Sequence, residues 1–267
     1  MKNLKYFLFL LIITTSLNSF LSTKFIFAQE DWEKQVELGI PKDKDDSDDF
    51  LIKRKQYVLS YNVDRNVANW VSWDLNKKSF GKAKRTKSFY TDPSLPKGSY
   101  KVKTKDYVGS GYDRGHMTRS ECRTRTAKDN LGTFYLSNIL PQTPDLNRKL
   151  WKGLEDYCND LARKENKELF IICGGVYYND NKIKNKIAIP DSCFKIIVIM
   201  EEGQGINDVT KDTPVIAVMM PNEDGITDLN WRDYLTTVNA VENSTKYNFL
   251  NNVPEEIQNK IETKRFK

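Results

Sequence analysis

The chain of 267 residues contains a single histidine, His116, set in Ser110-Gly111-Tyr112-Asp113-Arg114-Gly115-His116-Met117. Histidine is the side chain whose ordinary pKa, about 6.5, lets it take up and return protons near neutrality. Any histidine-dependent chemistry in this protein therefore runs through His116. A lone histidine can also be a packed structural ring. Here its neighbours are polar or charged and glycines flank it, which suits a loop or strand end where the chain bends. A second block follows: Leu136-Ser137-Asn138-Ile139-Leu140-Pro141-Gln142, then Leu146-Asn147-Arg148-Lys149-Leu150-Trp151 and Leu154-Glu155-Asp156. Hydrolysis of a phosphodiester by water needs a base for the water, charge to offset the phosphoryl oxygens, and stabilisation of the leaving oxygen. A histidine, arginines, amide oxygens and a carboxylate can supply these. With one histidine, a ribonuclease that uses paired histidines on the 2′-hydroxyl is excluded, and so is a His-x-x-x-His zinc protease.

The two blocks resemble the DNA/RNA non-specific endonucleases, whose ββα-metal site carries an Asp-Arg-Gly-His signature, here Asp113-Arg114-Gly115-His116. Both stand in the family's order, with Asn138, Gln142, Asn147, Trp151 and Glu155 in place, and the resemblance runs from Leu38 to Ile261. It implies an α+β fold, a central antiparallel sheet flanked by helices with a ββα-metal motif at the site. It also implies a sugar-nonspecific endonuclease that hydrolyses DNA and RNA and leaves 5′-phosphates. In those terms His116 is the general base, and Asn147 is the direct protein ligand of a hydrated divalent ion, magnesium or manganese in its place. Magnesium suits an amide oxygen, because it favours oxygen ligands and retains several waters. Glu155 lies eight residues beyond Asn147. That is about 12 Å along an α-helix, which suits a role through a water rather than on the same ion. Arg114 and Arg85 would clamp phosphate oxygens, Asn138 and Gln142 would orient the site, and Asp113 would hold the loop. Arg85 precedes Phe89 and Asp92-Pro93, the family's order of arginine, aromatic and Asp-Pro, with Lys87 and Arg125 as rivals. Trp151 is either packing or a contact surface. Other readings are a catalytically inactive nucleic-acid-binding protein of the same fold, or a nuclease restricted to one nucleic acid.

The elements that would position these residues follow from periodicity. Tyr57–Val63 and Ala68–Leu75 alternate and are rich in aromatic and β-branched residues, so they read as paired strands around a turn at Asp64–Val67. Thr133–Asn138 reads as a strand running into a bend. Thr143 reads as an N-cap with Pro144 at the first helical position. In that helix Leu146, Leu150, Leu154, Tyr157 and Leu161 form the buried stripe, with Asn147, Trp151 and Glu155 beside it. Glu168–Gly175, Ser192–Met200 and Pro214–Met220 read as strands, and Gly174-Gly175 as a close approach. Trp231–Glu242 and Pro254–Thr263 read as helices.

Length and composition fit a globular protein, and the formal charge is +6. Residues 1–28 read as a signal peptide: a basic start, a short apolar run, and a small residue at Ala28. They carry Lys2, Lys5 and Lys24 and no acid, so a chain cut after Ala28 is near +3. That charge alone does not point to nucleic acid. The expected organisation is a signal peptide at 1–28, a polar leader at 29–49 and the nuclease domain at 50–267, in a secreted or periplasmic protein with no membrane attachment after cleavage. The run Asp43–Asp49 lacks the glycine and final glutamate of a calcium loop and reads as a solvated acidic loop. Cys122, Cys158, Cys173 and Cys193 lack Cys-x-x-Cys spacing, which argues against zinc. In an oxidising compartment an even count suggests two disulfides, with the pairing open. DNA and RNA are the expected partners, while an inhibitor protein and the oligomeric state are not addressed by the sequence.

Overall fold

The computed structural model describes residues 32–226 and 228–267, so the expected signal segment lies outside the described residues. The apolar runs pair into one sheet. Its strands are β1 (Phe50–Lys53), β2 (Val58–Asn62) and β3 (Val67–Leu75), followed later in the chain by four more. Between β3 and those four, β4 (Asp113–His116) and β5 (Ile139–Gln142) form a separate two-stranded ribbon. Then come β6 (Lys167–Val176), a small hairpin of β7 (Lys182–Ile183) and β8 (Ile187–Ala188), and β9 (Ser192–Glu201), β10 (Val215–Pro221) and β11 (Leu235–Thr236). The large sheet is antiparallel throughout, in the order β1-β2-β3-β6-β9-β10-β11.

Its strands are apolar nearly end to end because both faces are covered. Along β6, Leu169, Ile171 and Cys173 point into one core while Phe170 and Ile172 point into the other. The first core lies under helix α2 (Lys152–Lys164) and the β4–β5 ribbon. The second lies under α3 (Val238–Thr245) and α4 (Glu255–Ile261), while the short α1 (Ala127–Gly132) leads toward the ribbon. The hairpin turn is made at Asn66, whose φ of 58° suits asparagine. At Gly174 an added Cβ would sit 2.3 Å from the Asn69 carbonyl oxygen, so this backbone approach requires glycine.

The structure corrects several expectations. Within the expected leader at 29–49, Val36 and Leu38 are buried, and Gln35 Oε1 accepts the Asp74 backbone N–H at 3.0 Å. The acidic loop is solvated only in its first half. Its last carboxylates turn onto the sheet, where Asn62 donates to Asp48 at 2.7 Å and Tyr247 donates to Asp49 at 2.8 Å. Thr133–Asn138 is not a strand. Thr133 ends α1, Leu136–Asn138 forms one 3-10 turn, and the strand begins at Ile139. Trp231–Glu242 divides into a 3-10 turn, the edge strand β11, and α3. Thr237 accepts the Ala240 N–H at 3.2 Å, the capping role that threonine prefers to a helix interior.

No disulfide forms. All four cysteines are free and buried. Cys122 Sγ is 3.1 Å from Asn159 Oδ1, and Cys173 Sγ is 3.4 Å from Met117 Sδ. Cys173 and Cys193 are diagonal neighbours across β6 and β9, where Cα atoms lie about 7–8 Å apart, beyond the usual disulfide span. Burial pushes the Cys122, Cys158 and Cys193 thiols up to about 12, so they remain protonated and inert. Protein unfolded without reductant should therefore titrate as four thiols per chain, and reductant should leave its melting temperature unchanged. Fewer thiols, or a melt lowered by reductant, would show bridges.

Candidate active site

The β4–β5 ribbon and the start of the long helix bring the two sequence blocks together. Asp113 lies opposite Gln142, and His116 lies opposite Ile139. Gly115 leaves room for Gln142: a Cβ there would lie 2.0 Å from Gln142 Oε1 on the same face of the ribbon, so a larger residue would displace that buried side chain. Gln142 is fully buried, and neither end of its amide meets a partner in good hydrogen-bond geometry.

His116 is 9% exposed, in an aromatic niche with the Phe134 ring centroid at 4.9 Å and Phe89 at 5.3 Å. Its Nε2 is buried without a hydrogen-bond partner. Its carbonyl oxygen accepts from Trp151 Nε1 at 3.2 Å, and Trp151 is 1% exposed, so this tryptophan is packing rather than a contact surface. Burial, with the Arg85, Arg119 and Arg114 charges, depresses the His116 pKa to about 3. The imidazole is therefore neutral throughout the ordinary pH range.

Arg85 hydrogen-bonds to Ser120 and stacks over Phe134, its guanidinium carbon 4.9 Å from the ring centroid, while Arg114 lies 4.7 Å over Phe89. Both cations thus border the histidine niche. Of the rivals to Arg85, Arg125 pairs with Asp129 at 3.2 Å, and Lys87, like Arg85 itself, is exposed.

Asn138 orients the loop after His116 by replacing a strand ladder with its side chain. Its Oδ1 accepts from Thr118 N at 2.9 Å, and its Nδ2 donates to the Thr118 and Thr133 carbonyls, each at 2.9 Å. Its own carbonyl accepts from Met117 N at 2.9 Å. Asn138→Ala would strand three buried backbone groups at about 1–3 kcal/mol each. A loss of about 3 kcal/mol or more is expected by denaturant unfolding, and a loss under 1 kcal/mol would remove this role.

The helix carrying Asn147 and Glu155 begins as expected at Thr143, whose Oγ1 accepts the Leu146 N–H at 3.3 Å. Its first stretch, Leu146–Trp151, is a π turn that passes into α2. Four residues overshoot a full turn by about 40° on an α-helix and fall about 30° short on a π turn of roughly 4.4 residues. The steps from Asn147 to Trp151 and from Trp151 to Glu155 therefore nearly cancel, and Glu155 returns close to the line of Asn147 with Trp151 about 30° to one side.

Asn147 donates its amide nitrogen to Asp113 at 2.9 Å, and Arg148 holds the same carboxylate with two hydrogen bonds of 2.7 Å. The Arg148 and Asn147 contacts hold the Asp113 pKa below the usual carboxylate range. An ionised carboxylate only accepts, so it fixes which way the amide faces. The Asn147 carbonyl oxygen makes no hydrogen bond among the described residues and is available to a hard cation. Among the described residues no three His, Cys, Asp or Glu side chains gather as a metal cluster. A cation at this oxygen would find one neutral protein donor, which would suit an ion that keeps most of its water.

Glu155 is 8% exposed. Burial raises its pKa, and two cations oppose that: Lys195 Nζ at 3.7 Å from Oε1 and Arg119 Nε at 3.5 Å from Oε2. Sequence reasoning singled out neither cation. Lys195 had a visible signal, a lone charge inside the apolar run Cys193–Met200. Arg119 had none beyond lying in a basic segment.

Comparison with known proteins agrees with this geometry. The model of the family described as DNA/RNA non-specific endonuclease matches residues 36–256. A nuclease of Nostoc sp. is 43% identical over 218 residues, covering 81% of this chain and 79% of its own. The mitochondrial nuclease of Saccharomyces cerevisiae is 30% identical, covering 76% and 66%. A crystal structure of an EndoG/EndoGI complex, presented as a mechanism of EndoG inhibition, superposes with a TM-score of 0.72 at 25% identity, covering 86% of this chain and 95% of that one.

Proposed function

The chain belongs to the DNA/RNA non-specific endonuclease family, and on that premise we propose that it hydrolyses the phosphodiesters of both DNA and RNA with water, using His116 as general base and a magnesium ion held through Asn147. The observation that carries this reading is a single histidine kept neutral by burial and bordered by arginines, on the same ribbon as the aspartate that orients Asn147. A bound magnesium ion would supply charge stabilisation to the phosphoryl and leaving oxygens.

The protein's own residues account for the rest. Neutral His116 takes the proton of the attacking water. Arg85 and Arg114 sit where they can neutralise phosphate oxygens, since their guanidiniums stack on the two aromatic rings that enclose the imidazole. Glu155 has a buried carboxylate oxygen without a hydrogen bond, the atom that would accept one from a water. Attack by external water uses no 2′-hydroxyl, so deoxyribose and ribose substrates are equivalent at the reacting centre. The reading includes 5′-phosphate products and export through residues 1–28 to the periplasm or outside. It includes no membrane attachment after cleavage; among the described residues no helix is long and apolar enough to cross a membrane. The EndoG/EndoGI structure supports looking for an inhibitor protein.

Digestion of plasmid and RNA side by side, with and without chelator, tests the proposal. Cleavage of both, lost on chelation and restored by magnesium, is expected. Cleavage of one nucleic acid alone would show a restricted nuclease, and binding without cleavage an inactive one. Products that ligate without prior phosphorylation would confirm 5′-phosphates, and a secreted protein beginning at Gln29 would confirm export.

A further inference from the structure

Lys195 is 1% exposed in the middle of β9, opposite Cys173 on β6 and Val218 on β10. Strand alternation puts it on the face with Cys193 and Ile197, in the core beneath α2. An ammonium in that setting gives up hydration and needs compensation. Its ion-pair partner among the described residues is Glu155, with Nζ 3.7 Å from Oε1. The ring centroid of Trp151 at 4.1 Å and that of Trp73 at 5.7 Å add cation–π attraction.

The spacing bears on function. Neither the 3.7 Å contact from Lys195 nor the 3.5 Å contact from Arg119 is a direct hydrogen bond, and Oε1 is buried without one. The carboxylate is held by charge from both sides while its lone pairs stay open. Arg119 cannot serve alone, because its guanidinium is shared with Glu121 at 2.7 Å and Asp156 at 2.6 Å. We propose that Lys195 is the positioning residue for Glu155, keeping the buried carboxylate charged and in place without occupying the oxygen that Glu155 offers to water. This rests on the functional role of Glu155 given above.

The test measures kcat, KM for DNA and melting temperature in Lys195→Met, Lys195→Arg, Glu155→Gln and the double variant Glu155→Gln/Lys195→Met. Loss of a partner that orients a functional group costs about 10–100-fold in activity. Lys195→Met should lower kcat by that factor with KM little changed, and Lys195→Arg should restore most of it. In the Glu155→Gln background the Lys195→Met change should cost no further activity, because a residue acting through Glu155 has nothing left to act on. Glu155→Gln alone should melt lower than the double variant, since it leaves Lys195 charged and buried without its partner. If Lys195→Met does not fold, the double variant against Glu155→Gln carries the comparison. An unchanged kcat in Lys195→Met, or equal activity losses with and without Glu155, would overturn the proposal. Should the wild type cut no nucleic acid, the functional reading fails on its own, and the melting comparison still decides whether residues 155 and 195 are coupled.

Discussion

His116→Ala should lower cleavage of DNA by about 10²–10⁴-fold, the usual contribution of a positioned general base. No other histidine is present to substitute. Binding of nucleic acid should change little, because in the proposed site phosphate contacts come from arginines and the metal rather than from the imidazole. The substitution empties a niche between Phe89 and Phe134, but the Trp151 hydrogen bond goes to the residue's backbone carbonyl and survives. Activity within tenfold of wild type would remove the assigned role.

The pH dependence has a definite sign. The folded pKa of His116, about 3, lies below its ordinary 6.5, so the unfolded chain binds a proton that the folded chain refuses. The neutral ring thus contributes stability that is full above pH 6.5 and is lost progressively as pH falls toward 3. His116→Ala should be less sensitive to acid unfolding across that window. The wild-type rate should show no loss attributable to this residue as pH passes through 6.5, and a titration there would contradict the buried, arginine-bordered geometry.

Asn147→Ala should be comparably severe. A metal centre supplies several kcal/mol of charge stabilisation, and each 1.4 kcal/mol is about tenfold in rate, so a loss of about 10²–10³-fold is expected at low magnesium. Extra magnesium should recover part of it. Asn147→Asp is the more searching variant. A carboxylate is a stronger ligand in isolation, but here it would replace an amide that donates to Asp113 at 2.9 Å. Two carboxylates at that distance repel, and one would take up a proton. It should therefore fail as well, unless Asp113 is removed with it. Near wild-type activity of Asn147→Ala at low magnesium would show that the ion is held elsewhere.

Much of this site was legible before the fold was known, for identifiable reasons. Asp113–His116 and Asn138–Glu155 are local blocks readable from their own residue types, although the contacts that orient them run between the blocks, from Asn147 to Asp113 and from Asn138 to Thr118. The long strands were legible because burial on both faces writes itself as unbroken apolar runs. What failed was set by distant partners. Thr133–Asn138 has the composition of a strand, but the Asn138 side chain takes the backbone groups a ladder would have used. Val36 and Leu38 sit in a polar stretch and are buried because they join the core on the sheet's second face. The π turn at Leu146–Trp151 has leucines at ordinary helical spacing, so nothing in its pattern announces the wider turn that aligns Asn147 with Glu155. Lys195 acts on a residue forty positions away, and one lysine in an apolar run does not say which carboxylate it meets.

The four reduced cysteines carry a further consequence. A fold that closes without oxidation reaches its native state in a reducing cytosol as readily as outside the cell. Oxidative maturation cannot then serve as a safety catch between synthesis and activity. A cell producing this nuclease would have to protect its own nucleic acids by the speed of removal, by restricting free metal, or by a bound antagonist.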